Sequence, residues 1–319
     1  MTAGRPSVEG PLRAGLVINP HAWSNRRRPA QRRGLGAAFA PLGEVVETGD
    51  VAQLPALLGR WSAEGVRLVA VSGGDGTVHA VINTLLAVWV GPLPRLLLLH
   101  GGTMGVAAHA VCTGAPIRQV TAVQRATARG DPLPVRPVET LRVGGQVAFN
   151  FGLGLFAALP AELERSGVRG PAAIRGLGAG VLASALVGGS LATRALRGWS
   201  GHVRRDGEPL GQGHLAGLYA TTLDGAALLH LRGFETSARP AGHLRVLFVD
   251  ATRQELVRSF VPFALGWPGG VTPGVCVAPV RVLELEPSEA ARYALDGELH
   301  TWEGPLTIEA GPTLEVVVV

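Results

Sequence analysis

Five consecutive residues in the first third of the chain form a glycine-rich run of the kind that binds phosphate groups: Gly73, Gly74, Asp75, Gly76 and Thr77. An apolar run at 68–71 precedes them, and apolar residues then recur every three or four positions up to residue 86, as on one helix face. The pattern predicts a strand, a glycine turn and a helix. Glycines let the backbone approach a ligand, and the free N–H groups at a helix start suit phosphate. Asp75 repels phosphate, so we expect it to act through a metal ion, a water or a sugar hydroxyl. The alternative is a tight strand-to-helix connection without a ligand.

A second run of the same kind follows, in which the apolar residues 96–99 precede Gly101, Gly102 and Thr103. Two strand–glycine–helix units in succession predict a doubly wound parallel sheet, whose binding site lies at the carboxyl ends of the strands. From about residue 134 the pattern changes to short apolar runs separated by glycine and proline, which is typical of an all-β domain. The runs are 138–143, 146–149, 202–205, 215–221, 244–249 and 281–285.

Composition narrows the classes of partner. The formal charge is +5, almost all of the cations are arginine, and such a surface suits anionic partners. Aromatic residues are few and do not alternate with the basic runs, which argues against single-stranded nucleic acid. Two cysteines form no disulfide framework, and the N-terminus lacks the apolar core of a signal peptide, so we expect a cytoplasmic protein. For the alanine-rich segment 172–192, which carries Arg175, we favour a buried or interfacial helix over a membrane span.

The run at 73–77 resembles the GGDGT nucleotide-binding loop of diacylglycerol kinases, sphingosine kinases and related bacterial lipid kinases. NAD kinases and phosphofructokinases carry shorter versions of this loop. Asn19-Pro20 after the first strand resembles the opening of the NPxSG motif, and Thr103 matches the GTxND turn of these lipid kinases. The resemblance implies that ATP binds here. The positions that it assigns to nucleotide binding are Asn19, Pro20, Thr48, Gly73, Gly74, Asp75, Gly76, Thr77, Gly102 and Thr103.

The resemblance also implies an α/β N-terminal domain with a doubly wound parallel sheet and a C-terminal β-sandwich domain, as in the NAD kinase and diacylglycerol kinase folds. The expected boundaries are 13–134 and 135–305, with a terminal strand within 306–319 returning to the first domain. Near the end, Asp296-Gly297-Glu298 matches a family DGE motif whose glutamate is the general base, with Asp296 and Asp75 as further catalytic positions. The alternative for Asp296 and Glu298 is a plain turn, and a turn is our interpretation of the second DGE, 206–208.

Four positions that are polar in the family are occupied here by Ala80, Gly105, Phe156 and Ala241. Phosphoryl transfer relies on Mg²⁺, which prefers oxygen ligands. Asp75 is the expected contributor, and Ala241 removes a ligand of the family's structural magnesium.

The leading hypothesis is an ATP- and Mg²⁺-dependent lipid kinase that phosphorylates a diacylglycerol- or sphingosine-like hydroxyl and contacts an anionic membrane surface peripherally. The alternatives are a nucleotide- or lipid-binding relative without transfer chemistry, and a kinase of the NAD-kinase kind.

Overall fold

The computed structural model describes residues 12–101, 114–167, 197–223, 239–250, 255 and 274–319. The N-terminal part alternates strands and helices. Its strands are β1 (Ala14–Ile18), β2 (Gly43–Glu47), β3 (Leu68–Gly73) and β4 (Arg95–His100). Its helices are α1 (Trp23–Arg27), α2 (Pro29–Phe39), α3 (Leu54–Ala63), α4 (Asp75–Val88) and α5 (Pro116–Arg129), with a 3-10 turn at Val51–Gln53.

These four strands are parallel, in the order β2-β1-β3-β4. β1 and β3 are buried along their whole length, which explains why they appear in the sequence as continuous apolar runs. One face of the sheet packs on α2 and α5, through Leu35 and Val120, and the other packs on α3 and α4, through Trp61 and Val81. The sheet is therefore doubly wound, with helices on both faces.

The remaining described residues are mostly antiparallel strands. They are β5 (Val135–Val143), β6 (Gln146–Ala148), β7 (Asn150–Gly154), β8 (Trp199–Arg205), β9 (Glu208–Leu215), β10 (Gly217–Thr221), β11 (Leu244–Val249), β12 (Val275–Val280), β13 (Val282–Pro287), β14 (Ala291–Leu295), β15 (Glu298–Trp302) and β16 (Leu306–Val317). One helix, α6 (Leu155–Ser166), follows β7 directly.

The strands form two sheets that enclose a second core. Six strands make an antiparallel sheet in the order β12-β11-β10-β7-β14-β15. The other sheet continues the parallel one, in the order β4-β16-β13-β8-β9, with β5 and β6 attached through β16. Buried residues of both sheets pack together, among them Phe151, Leu218 and Leu283. The expected α/β domain with a C-terminal β-sandwich is confirmed.

β16 joins the two parts. It pairs antiparallel with β13 and β5, and it runs parallel to β4 through the pair Val316 and Leu96. A register shift between Ala310 and Thr313 interrupts its pairing with β5. The domain boundaries near residues 134 and 305 therefore stay a proposal, because one sheet crosses them without a break.

The structure refines several predicted elements. The run at 215–221 contains the end of β9 and the whole of β10, which Ala216 separates. The run at 146–149 ends as a strand at Ala148, and Phe149 separates it from β7. The alanine-rich segment 172–192, for which the sequence favours a buried or interfacial helix, lies outside the described residues. No helix in the described part of the chain is long and apolar enough to cross a membrane.

Candidate active site

The corner between β3 and α4 has a backbone suited to binding an anion. Gly74 precedes the helix in an extended conformation, and no side chain caps the helix start. Gly73 cannot carry a side chain, because a Cβ there would lie 2.5 Å from the Cβ of Thr77. The first amides of α4 therefore carry the positive end of the helix dipole without a side-chain acceptor from the N-cap residue. Asp75, 9% exposed, occupies the first helical position.

The loop after β1 is tied to this corner. The Asn19 side-chain amide donates to Thr77 Oγ1 at 2.9 Å, and Pro20 follows as the chain turns away. Asn25 of α1 reinforces the junction, since its amide donates to the carbonyls of Asn19 at 2.9 Å and Ser72 at 3.1 Å. β1 leads to β2 on one side and β3 leads to β4 on the other. The crevice between their carboxyl ends is the switch point at which doubly wound sheets bind ligands.

Thr48 and Gly101 lie at the ends of the flanking strands. The Thr48 hydroxyl donates to Gln53 Oε1 at 2.8 Å and accepts from the Asp50 amide at 3.1 Å, so it organises the turn after β2. Gly101 donates its amide to the Gly73 carbonyl at 3.0 Å. The predicted contacts of Gly102 and Thr103, and the substituted position Gly105, lie outside the described residues.

Glu298 reaches the glycine corner from the other end of the chain. It follows a hairpin turn between β14 and β15, where Asp296 and Gly297 have φ values of 46° and 88°. Two successive positive φ values fit the tight turn that suits a two-residue hairpin. A Cβ added to Gly76 would lie 2.2 Å from Glu298 Oε1. The structure therefore places the Glu298 carboxylate against the first turn of α4, at the positive end of the helix dipole.

Asp296 holds this hairpin in place. The residue is 6% exposed. Its carboxylate accepts hydrogen bonds from the backbone amides of Phe149 and Asn150 at 2.9–3.2 Å, and from Asn150 Nδ2 at 3.1 Å. Its second oxygen faces His79 Nδ1 at 3.4 Å. With these donors around it, Asp296 is built to position Glu298 and the β6–β7 junction.

A buried polar network continues behind Asp296. The Tyr219 hydroxyl donates to Asn150 Oδ1 at 2.6 Å, and Thr221 Oγ1 donates to the Phe149 carbonyl at 2.9 Å. Burial, together with the negative charge of Asp296, raises the pKa of Tyr219 far above its usual value, so the phenol stays protonated. The fixed orientation of Asn150 in turn fixes Asp296.

Two side chains to which the sequence analysis assigned no contact lie on one face of α4. His79 and Asn83 follow Asp75 at intervals of four, and that spacing was the available signal. Asn83 pairs with the backbone of Val147, donating to its carbonyl at 2.7 Å and accepting from its amide at 2.8 Å, which fixes α4 to β6. His300, two residues after Glu298 on β15, has a ring 6.5 Å from that of His79, and burial lowers its pKa, with a smaller contribution from His79.

The substituted positions show where a structural metal does not fit. Ala80 packs beside the first core, the Phe156 ring lies 5.5 Å from the Tyr219 ring at a tilt of 45°, and Ala241 is exposed. Beside Ala241, the buried Arg239 guanidinium pairs with Glu139, which also accepts the Gly242 amide at 3.0 Å. Burial raises the pKa of Glu139, but these two donors outweigh it and the net pKa is lowered.

A guanidinium thus lies beside Ala241, the position at which the resemblance implies a ligand of a structural Mg²⁺. Within the described ranges, no three His, Cys, Asp or Glu residues are grouped to hold a metal ion. A Mg²⁺ ion that is bound with the nucleotide needs fewer protein ligands, because it keeps several waters and is also bound by the phosphates. Asp75, beside the amides of the α4 start, is the residue that fits such an ion.

Comparison with known proteins gives a match to one family model in the N-terminal part of the chain. Residues 13–138 match the model of the diacylglycerol kinase catalytic domain. No curated protein matches the chain.

Three crystal structures from Bacillus anthracis str. Sterne show the same fold over both parts. They are a putative diacylglycerol kinase with a TM-score of 0.67 at 18% identity, a second putative diacylglycerol kinase with 0.65 at 18%, and a diacylglycerol kinase with 0.60 at 16%. Each comparison covers 96% of this chain and 96% or 97% of the other. Residues 13–138 are therefore similar to a diacylglycerol kinase catalytic domain, and the chain as a whole has the fold of these solved structures.

Proposed function

We propose that this protein is an ATP-dependent lipid kinase that transfers the γ-phosphoryl group to the hydroxyl of a diacylglycerol- or sphingosine-like acceptor. The observation that carries the proposal is the contact of the Glu298 carboxylate with Gly76, which brings a base from the C-terminal part to the phosphate-binding corner. The kinase family of residues 13–138 supports it.

In this mechanism the corner Gly73–Thr77 and the Asn19 loop hold the triphosphate at the switch point of the sheet. Thr48 borders the nucleotide on one side, and Gly102 and Thr103 are further positions that the resemblance assigns to nucleotide binding. Magnesium, when bound with the nucleotide, neutralises charge on the phosphate oxygens, and Asp75 is the residue that would orient it.

Glu298 accepts the proton of the lipid hydroxyl. At the same time the oxygen of that hydroxyl bonds to the γ-phosphorus, and the bond between the γ-phosphorus and the ADP oxygen breaks. Asp296 does not need to exchange a proton in this step, because its oxygens face donors from three directions. It keeps the Glu298 hairpin in register with the corner. Because positioning supplies most of the rate in phosphoryl transfer, such support is part of the chemistry.

The test is transfer of labelled γ-phosphate from ATP to diacylglycerol or sphingosine in mixed micelles. Glu298→Gln should lower turnover by roughly 10²–10⁴-fold, the range of general-base contributions, while ATP binding measured by calorimetry is retained. The matched control is Glu208→Gln, which alters the other DGE turn, between β8 and β9. Wild-type turnover by Glu298→Gln would refute the assigned role.

A second candidate is a relative that binds nucleotide or lipid without transfer. Ala80, Phe156 and Ala241, apolar where the family is polar, favour it. It predicts ATP binding by calorimetry with no labelled product on any lipid hydroxyl, and labelled NADP as product would instead indicate the NAD-kinase kind.

A further inference from the structure

His79 on α4 faces the hairpin that carries Glu298. It follows Gly76, the residue that meets the Glu298 carboxylate, by three positions, so both lie on one side of the helix. His79 Nδ1 lies 3.4 Å from Asp296 Oδ2, and the His79 side chain is 11% exposed. The β14–β15 hairpin therefore meets α4 at two levels, first at Gly76 and about one turn later at His79.

A second histidine, from the hairpin itself, packs beside the first. His300 follows Glu298 by two positions, so the two side chains lie on the same face of β15. The His300 ring lies 6.5 Å from the His79 ring at a tilt of 52°, and it stacks on the Tyr293 ring at 5.2 Å and 11°. Tyr293 is buried and pairs with His300 across the hairpin. A well-packed part of the hairpin therefore borders the His79 ring.

The hydrogen-bond partners of Asp296 determine which nitrogen of His79 carries a hydrogen. Both carboxylate oxygens already accept hydrogen bonds, Oδ1 from the Asn150 amide at 2.9 Å and Oδ2 from the Phe149 amide at 3.2 Å. A carboxylate that accepts on both oxygens has no hydrogen to give to an imidazole. The hydrogen of the contact therefore belongs to His79 Nδ1, and this nitrogen is the atom through which His79 acts on Asp296.

The contact with His79 differs from the other hydrogen bonds of Asp296 in what it connects. The bonds from Phe149 and Asn150, at 2.9–3.2 Å, hold the hairpin to the start of β7, a strand of the same sheet. His79 belongs instead to α4, the helix that begins at the glycine corner. Among the described residues, His79 is the donor that joins the Asp296 carboxylate to that helix.

We propose that His79 is a positioning residue for phosphoryl transfer, whose Nδ1–H group holds Asp296, and with it the Glu298 hairpin, at the working distance from the glycine corner. Its effect on turnover rests on the proposed kinase function, whereas the hydrogen bond does not. His79 acts through Asp296 and not on the nucleotide, so its loss should lower turnover and leave ATP affinity unchanged. A misplacement of about 1 Å costs roughly 100-fold in rate.

Two amide side chains test which atom of His79 matters. His79→Asn places a donor nitrogen where Nδ1 lies, whereas His79→Gln moves the amide one bond further from the backbone. In the labelled-phosphate assay, His79→Ala and His79→Gln should lower turnover by roughly 10–100-fold, with ATP affinity retained in calorimetry, and His79→Asn should restore most of it. The two amide variants should have similar midpoints of urea denaturation, so a difference in turnover between them is not a difference in folding. The control His202→Ala removes an exposed histidine from β8, in the other sheet, and should behave as wild type.

Nitrogen-15 spectra of the histidine rings test the hydrogen bond without a kinase assay. They distinguish a ring that carries hydrogen on Nδ1 from one that carries it on Nε2 alone, and the signals lost in His79→Asn identify His79. We expect a hydrogen on Nδ1 of His79 in the wild type, with a resonance that moves in Asp296→Asn. A wild type that has this signature but transfers no phosphate would count against the kinase function and not against the hydrogen bond.

Three results would overturn the proposal. The first is a bare Nδ1 on His79 in the wild-type spectrum. The second is wild-type turnover by His79→Ala, and the third is a loss in His79→Asn as large as the loss in His79→Ala, which would assign the effect to the ring and not to its Nδ1–H group.

Discussion

Replacing Gly76 with alanine separates stability from activity at the catalytic corner. The new Cβ would lie 2.2 Å from Glu298 Oε1 and 3.0 Å from its carboxyl carbon, so the carboxylate must retreat. Normal contact requires a shift of about 1 Å, and a misplacement of that size costs roughly 100-fold in rate. Backbone strain does not arise, because Gly76 lies inside α4 and is not among the glycines with positive φ.

The expected effect on folding is small. Alanine in a helix is favoured over glycine by about 0.5–1 kcal/mol, and an off-rotamer glutamate costs about 0.5–1.5 kcal/mol. The free energy of unfolding should therefore stay within about 1 kcal/mol of wild type, measured by urea denaturation. Turnover in the micelle assay should fall about 100-fold while ATP still binds.

Gly59→Ala is the matched control. Gly59 also lies in a helix, α3, but a Cβ there meets nothing within 4 Å. It should gain stability without losing turnover. Combining Gly76→Ala with Glu298→Gln should add little to the loss from Glu298→Gln alone, because both act through one carboxylate. Wild-type turnover by Gly76→Ala, or a fully additive double variant, would refute the reasoning.

Three further changes test the supports of the site. Asn83→Ala should lower the free energy of unfolding by about 2–4 kcal/mol, because it leaves the amide and carbonyl of Val147 without their partner; chemical denaturation measures this, with Asn83→Asp keeping one bond. Asp296→Asn should cost about 1–3 kcal/mol and lower turnover, since a neutral side chain accepts the backbone amides less strongly; a loss of turnover without any loss of stability would contradict a positioning role. Arg239→Met should cost about 2 kcal/mol near neutral pH, on the low side for a buried pair because Glu139 is partly exposed. The folded pKa of Glu139 is lowered, so this contribution is present above its unfolded pKa and is lost as the pH falls through the folded pKa. Denaturation curves of wild type and variant should therefore converge in acid, and a constant difference across pH would exclude this pair as the cause.

The local sequence pattern predicted the N-terminal architecture well, because a strand there is a short apolar run and a helix shows apolar residues three or four positions apart. The apolar run before Gly73 and the spacing after Thr77 define β3 and α4 within one or two residues. β1 and β4 are equally clear, since the central residues of parallel strands buried on both faces form continuous apolar runs. The glycine corner followed from the same local information.

Contacts between distant parts of the chain were less accessible. Nothing local shows that Asp296 accepts the amides at 149 and 150, or that Asn83 pairs with the backbone of Val147. The Asn83–Val147 bond joins residues that are 64 positions apart in the chain, and the Asp296–Asn150 bond joins residues that are 146 positions apart. Such contacts are defined only by the packed fold. The division of 208–221 into two strands was hidden for a different reason, because one residue, Ala216, separates them.

The long strand β16 links the two parts of the structure through one sheet. Domains of an enzyme commonly swing on a flexible connection, but here Leu306–Val317 belongs to the sheet of both halves at once. A rigid-body rotation has to bend this strand, and its weakest point is the irregularity between Ala310 and Thr313, where pairing with β5 is already interrupted. Gly311 lets β5 approach there, since a Cβ would lie 2.6 Å from Thr140 Oγ1. Any rotation of one part against the other would therefore bend a single continuous strand, and we expect the bend at this irregularity.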